Sequence, residues 1–324
     1  MKELTYAQAV REALRQALNS DPSVILTGAA VTTGGDYGVT EQLNEEFGAQ
    51  RIIDTPTSEN GTVGMALGLA MTGALPIVEI KGNFLLRCLD TIANQIAINE
   101  FQTNAQYDSA VIIRSDVGYD PFLGPQKAQS YESMFCQIPG LTVLYPSCGA
   151  DAIQLMNASV QLHKPVLFLE NRAMYRQSQQ VPDDTSLSVP IGKAHTLQEG
   201  TDVTIITYGP CVDLCRKAAE RAKLEEINCE VIDLRTLYPF DKETIVDSVK
   251  KTGKAIIVHE AHLTGGLGAE IAACIADSEA FDYLEAPIKR IASDDTPIAY
   301  SPEQYRTAVP DVQKIYDIIL ELTC

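Results

Sequence analysis

Short apolar, β-branched runs alternate with amphipathic stretches along the chain. SVILTG (23–28), LPIVEI (75–80), AVIIRS (110–115), LTVLYP (141–146) and PVLFLE (165–170) read as strands. Between them, LRCLDTIANQIAINE (86–100) and ADAIQLMNASVQL (150–162) carry helical spacing. The opening segment predicts an amphipathic helix, with Thr5 and Gln8 placed for a capping box and Ala7, Val10, Leu14 and Leu18 forming its apolar stripe. Alternation of this kind predicts parallel sheets covered by helices on both faces.

RQSQQVPDDTSLSVP (176–190) interrupts the pattern: it is polar, aperiodic and holds two prolines. A second alternating series follows in DVTIITYG (202–209), CEVIDLR (229–235), KAIIVHE (254–260) and IKRIAS (288–293). The expected organisation is therefore two doubly wound α/β domains with mainly parallel sheets, over 1–178 and 190–324, joined by a linker at 179–189. A length of 324 residues suits two cores better than one.

Charge narrows the partners. The net charge is −18, from 43 acids against 25 bases. Such a surface repels nucleic acid and anionic membrane, so neither is expected as a partner. No apolar run reaches bilayer-spanning length, and the first residues mix acids and bases without the apolar centre of a signal peptide. The eight cysteines are scattered without a CxxC pair. That pattern suggests neither a zinc site nor a disulfide framework, and a cytoplasmic location is expected.

Some motifs carry less chemistry than they suggest. GGLGAEIAACIA (265–276) has the wrong glycine spacing for a dinucleotide fingerprint and reads as a close helix–sheet contact. The histidines of HEAH (259–262) are three apart at a strand end, whereas a zincin needs them four apart on a helix. Gly61, Gly64 and Gly68 give a helix a smooth face, suited to a tight core contact or to close approach by another subunit. Glu59 is the single acid in DTPTSENGTVGMALGLAMTG (54–73) after Asp54, with no charge following until Glu79. Its position fits a first-turn charge favoured by the helix dipole, or a buried acid–base group.

RIIDTPTSENG (51–61), GLAMTGALPIVEI (68–80), QSYESMFCQIPGLTVLYPS (129–147), PVLFLENRAMYR (165–176), VPIGKA (189–194), VTIITYG (203–209), EVIDLRTLYPFD (230–241), IIVHEAHLTGGLGAEIAA (256–273) and DTPIAY (295–300) occur in an order that resembles a known family. It is the β subunit of the thiamine diphosphate-dependent decarboxylase of 2-oxo acid dehydrogenases, of the pyruvate, branched-chain and acetoin type, within the transketolase-like superfamily. The resemblance implies a pyrimidine-binding domain followed by a transketolase C-terminal-like domain. It implies that Glu59 hydrogen-bonds the aminopyrimidine of thiamine diphosphate and activates it, and that Phe84 packs against that ring. Thr57 and Arg87 are carried over as further cofactor neighbours. The superfamily's Gly-Asp-Gly diphosphate motif has no counterpart here; GGDYG (34–38) has the wrong order. Thiamine diphosphate is thus expected to be shared with an α subunit that holds Mg²⁺, in an α₂β₂ assembly acting on a small 2-oxo acid.

Three departures fall around the expected site. Gly28, Ala29 and Ala30 replace the family's Gly-Glu-Asp, Lys127 stands where a catalytic histidine belongs, and FQTNAQYDSAVIIRSDVGYDPFLG (101–124) replaces a glycine-rich run. A lysine is a fixed cation near neutral pH, where histidine titrates, so Lys127 puts acyl transfer to lipoamide in question. A stand-alone carboligase or non-oxidative decarboxylase, or a non-catalytic assembly subunit, are the other readings. Arg87 replaces a glutamine common among relatives. If Lys127 and Arg87 both face the cofactor, either a further anionic group on the substrate or Asp116 or Asp120 is expected to balance them.

Overall fold

The computed structural model describes residues 1–120 and 122–323, in two compact units. The first comprises residues 1–117 and 134–191, the second 118–133 and 192–324. The loop over 118–133, which carries Lys127, thus belongs to the second unit.

In the first unit, six parallel strands lie in the order Thr142–Leu144, Val166–Asn171, Ile112–Val117, Leu75–Glu79, Val24–Gly28 and Ile52–Asp54. Most of them begin with apolar residues because helices cover both faces, while charged residues gather toward the carboxyl ends of four of them. Helix Tyr6–Ser20 forms with the expected capping box: Thr5 Oγ1 accepts from the Gln8 amide while the Gln8 side chain accepts from the Thr5 amide. Its buried face of Val10, Ala13, Leu14, Ala17 and Leu18 joins the main core. Each fully buried leucine there contributes roughly 1.5–3 kcal/mol.

Two segments depart from the periodicity reading. The stretch over 86–100 is not one α-helix. It winds as 3₁₀ over Gly82–Cys88, α over Leu89–Thr91, π over Ile92–Ile96 and α again over Asn99–Gln102. Gly82, Leu85 and Cys88, three residues apart, are all buried, and a threefold winding sets them in line on one side. Within the polar segment over 176–190, Ser178–Val181 is a strand, paired antiparallel with Lys2–Thr5.

The second unit has a five-stranded sheet in the order Lys289–Ser293, Ala255–His262, Val203–Thr207, Cys229–Asp233 and His195–Gln198, antiparallel only at the last strand. Gly266 and Gly268 of the 265–276 motif pack closely against the strand Ala255–His262, while Gly265 has open space around it. A Cβ on Gly268 would lie 2.6 Å from Nε2 of the buried His259. No helix among the described residues is long and apolar enough to cross a membrane.

Candidate active site

Three neighbouring strands of the first unit end at one cleft. The chain passes from Val24–Gly28 outward to Ile52–Asp54, then returns to Leu75–Glu79 on the other side of the first strand. Parallel α/β sheets open a crevice at the carboxyl ends of strands where their order reverses in this way. Ala29 follows the first strand, Thr55 to Glu59 the second, and Ile80, Lys81 and Phe84 the third, and all of them line the cleft with Asp36, Thr62 and Glu79. Its volume is about 120 Å³. A cavity near that size holds a single six-membered ring.

Gly28 permits the strands to close so tightly. A Cβ at this position would lie 2.9 Å from both Cβ and the carbonyl oxygen of Glu79. The departure at Gly28-Ala29-Ala30 thus keeps the glycine that the packing needs and leaves a small side chain, Ala29, on the cleft wall.

Glu59 opens helix Glu59–Met71, so its carboxylate sits at the positive end of the helix. Thr62 secures that first turn, its hydroxyl bonded to the Ser58 carbonyl at 3.0 Å and the Thr55 hydroxyl at 3.1 Å. The Glu59 side chain is 12% exposed. One of its oxygens, Oε2, accepts a 3.3 Å hydrogen bond from Nη1 of Arg87, its one bonded partner among the described residues. Arg87 in turn stacks on Phe84, its guanidinium carbon 4.2 Å from the ring centroid. Glu59, Thr57, Phe84 and Arg87 are thereby brought to one place. Cys88 lies beside them, but burial and the Glu59 charge push its thiol up to about 12, so it stays protonated and is no nucleophile.

Neither aspartate expected to neutralise Arg87 does so. Asp116 pairs with Arg172 at 2.8 and 2.9 Å, and Asp120 accepts the Phe122 amide at 2.8 Å. The reason is local: Arg87 is carried by the 3₁₀ segment that packs against helix Glu59–Met71, so Glu59 is the carboxylate within reach. Lys127 ends the short helix Gly124–Lys127 in the second unit, and it is not among the residues lining this cleft.

Sequence reasoning missed Asp36, Glu79 and Lys81. Glu79 ends an apolar strand, the same signal that singled out Glu59. It lies against Arg114, which also holds Glu170 through two hydrogen bonds of 2.8 Å. Burial raises the Glu79 carboxyl above the ordinary glutamate value, against the opposing pull of Arg114. Asp36 belongs to GGDYG, set aside as a metal motif, yet it reaches the cleft and pairs with Lys81 at 3.2 Å. Helix Glu59–Met71 turns Val63, Ala66 and Ala70 inward, whereas Gly64 and Gly68 have no atom within 4 Å of a Cβ placed on them.

Two family models match the chain: the transketolase pyrimidine binding domain over residues 2–178 and the transketolase C-terminal domain over 192–315. The pyruvate dehydrogenase E1 component subunit beta of Rhizobium meliloti is 37% identical over 98% of this chain and 70% of its own length. That of Staphylococcus epidermidis is 40% identical over 91% of both. The mitochondrial subunit beta-1 of Arabidopsis thaliana is 37% identical over 97% of this chain and 88% of its own. A solved split-gene transketolase, described as an inactive beta4 tetramer, superposes with a TM-score of 0.80 at 20% identity, covering 99% of this chain and 98% of its own. Transketolase from Campylobacter jejuni superposes at 0.73 and 15% identity, covering 99% of this chain and 47% of its own. At those identities the structures establish the shared fold. The sequence relatives carry the assignment further: this chain belongs to the family of pyruvate dehydrogenase E1 component β subunits, built from the transketolase pyrimidine-binding and C-terminal domains.

Proposed function

We propose that this chain is the β subunit of a heteromeric, thiamine diphosphate-dependent 2-oxo acid decarboxylase of the dehydrogenase type. The observation that carries the reading is Glu59, at a helix start inside a ring-sized cleft, with one carboxylate oxygen bonded to Arg87 and the other engaged by no described residue. The residues fit the aminopyrimidine of the cofactor. Phe84 offers an aromatic face, Thr57 and Ala29 leave the wall narrow, and Glu59 Oε1 is available to a ring nitrogen. When bound, thiamine diphosphate supplies a nucleophilic carbon that adds to the carbonyl of a 2-oxo acid.

The chain's own part is proton handling and orientation. With the cofactor bound, Glu59 would exchange a proton with a nitrogen of its ring, for which a carboxyl in hydrogen-bond reach of a neutral heterocycle is suited. Helix Glu59–Met71 fixes the carboxylate, and Arg87 and Thr62 hold its surroundings. The cleft has space for one ring and lacks a Gly-Asp-Gly segment, so the diphosphate and Mg²⁺ fall to an α subunit in an α₂β₂ assembly.

The test is Glu59→Gln in the assembled enzyme. The amide keeps the shape but cannot accept the proton. Hydrogen exchange at the cofactor's reactive carbon, followed by NMR, is expected to fall by at least about 100-fold, the lower range of a lost acid–base group, while the complex still forms. Exchange at the wild-type rate would make Glu59 a helix-end charge alone.

A further inference from the structure

Arg87 has more hydrogen-bonding capacity than its one contact uses. A guanidinium carries five N–H donors in a planar fork. The Arg87 fork gives one of them to Glu59, over a long 3.3 Å, and no other hydrogen bond to a described residue. The side chain is 58% exposed while Glu59 is 12% exposed, so the carboxylate lies inside the cleft and the guanidinium at its lip. Stacking on Phe84 at 4.2 Å fixes the plane of the fork, and Phe84 is itself a cleft wall. Supporting Glu59 therefore uses one part of what this arginine offers, and the rest of the fork faces the cleft mouth.

Electrostatics adds a second reason. The chain carries a net charge of −18, and Asp36, Glu59 and Glu79 all line the cleft. An anion approaching that opening meets repulsion unless cations stand at its mouth. Lys81 lines the cleft too, paired with Asp36 at 3.2 Å, and offers a point charge without a fork. Arg87 retains the donors for a planar, two-point grip on an oxoanion, the geometry for which guanidinium is suited and ammonium is not.

We propose that Arg87 determines specificity by clamping a second oxoanion, carboxylate or phosphate, at the end of the 2-oxo acid remote from its reacting carbonyl. The proposal rests on the function assigned above and names its substrate class. The 2-oxo acid's own carboxylate leaves as CO₂, so it is no lasting partner for a fixed cation, whereas a remote anion persists through the reaction. Glu59 keeps its place through its helix start, and Arg87 meets the substrate with the donors it does not give to Glu59.

The experiment compares 2-oxo acids of matched length that end in a methyl, a carboxylate or a phosphate. Each is given to the assembled complex as wild type, Arg87→Gln and Arg87→Lys. The readout is the ratio of kcat/KM for the doubly anionic substrates to that for the methyl-ended one, in which any general loss cancels. In Arg87→Gln the ratio is expected to fall about 10- to 100-fold, as for one charge-assisted contact, mainly through KM. Arg87→Lys is expected to fall between, because it keeps the charge and loses the fork. A carboxylate-only or phosphate-only effect names the anion. An unchanged ratio overturns the clamp, since a role confined to supporting Glu59 lowers all substrates alike. Calorimetry with unreactive dicarboxylates and phosphomonoesters separates the two readings. If the wild-type complex turns over no 2-oxo acid but binds these anions, and Arg87→Gln does not, the function is wrong and the clamp stands. Equal binding by both proteins overturns the clamp.

Discussion

Arg114 is the residue on which the charge balance beneath the cleft depends. One buried guanidinium serves two carboxylates, Glu79 and Glu170. Removing it strands both, so Arg114→Met is expected to cost about 3–5 kcal/mol in urea unfolding of the chain. Glu79→Gln leaves Arg114 and Glu170 as a balanced pair and is expected to be close to neutral. Its effect should depend on pH. Burial raises the Glu79 carboxyl in the fold, so the proton is held more tightly folded than unfolded. The stability tied to that proton is full below the unfolded value of about 4.3 and is lost as pH rises through the raised folded value. Thermal unfolding across this window should therefore show the wild type losing ground to Glu79→Gln as pH increases. A difference independent of pH would show that Glu79 ionises in the fold as freely as in the unfolded chain.

Helix Glu59–Met71 is apolar all round, yet only one side of it is covered. Its glycines and those of the second unit look alike in sequence but differ in surroundings. At Gly64 nothing lies within 4 Å of an added Cβ, so Gly64→Ala should stabilise the isolated chain by about 0.8–1 kcal/mol through helix propensity. In the proposed assembly the same methyl should weaken association, read by sedimentation with the partner subunit, because the open face suits close backbone approach. Gly268→Ala should do the opposite in the isolated chain. Its Cβ would meet the His259 ring at 2.6 and 2.7 Å, and overpacking of this kind costs about 1–3 kcal/mol. Stabilisation by Gly64→Ala with undiminished assembly would remove the reason for placing a partner there.

At the scale of the whole molecule, the proposed cleft accounts for one half of a cofactor. Its lining comes from the first unit and encloses about 120 Å³. The chain alone is therefore expected to bind thiamine diphosphate weakly or not at all by calorimetry, with or without Mg²⁺, and to bind it once the α subunit is added. Micromolar, Mg²⁺-dependent binding by the chain alone would contradict the split site.

Local pattern determined much of this protein. The alternation of apolar runs specified parallel sheets, and Thr5 and Gln8 specified a helix start, because burial and capping act over a few residues. The isolation of Glu59 in an apolar stretch marked a residue that lines the cleft, since an acid so placed needs a reason to be there. Tertiary structure decided the rest. Periodicity could not show that spacing by three over Gly82, Leu85 and Cys88 would wind the chain as 3₁₀ and carry Arg87 to Glu59. Nor could it show that Asp36 and Glu79, forty-three positions apart, share one cleft, or that Lys127 belongs to the second unit. Those facts follow from strand order and long-range packing, which set residues distant in the chain side by side and which no short window of sequence contains.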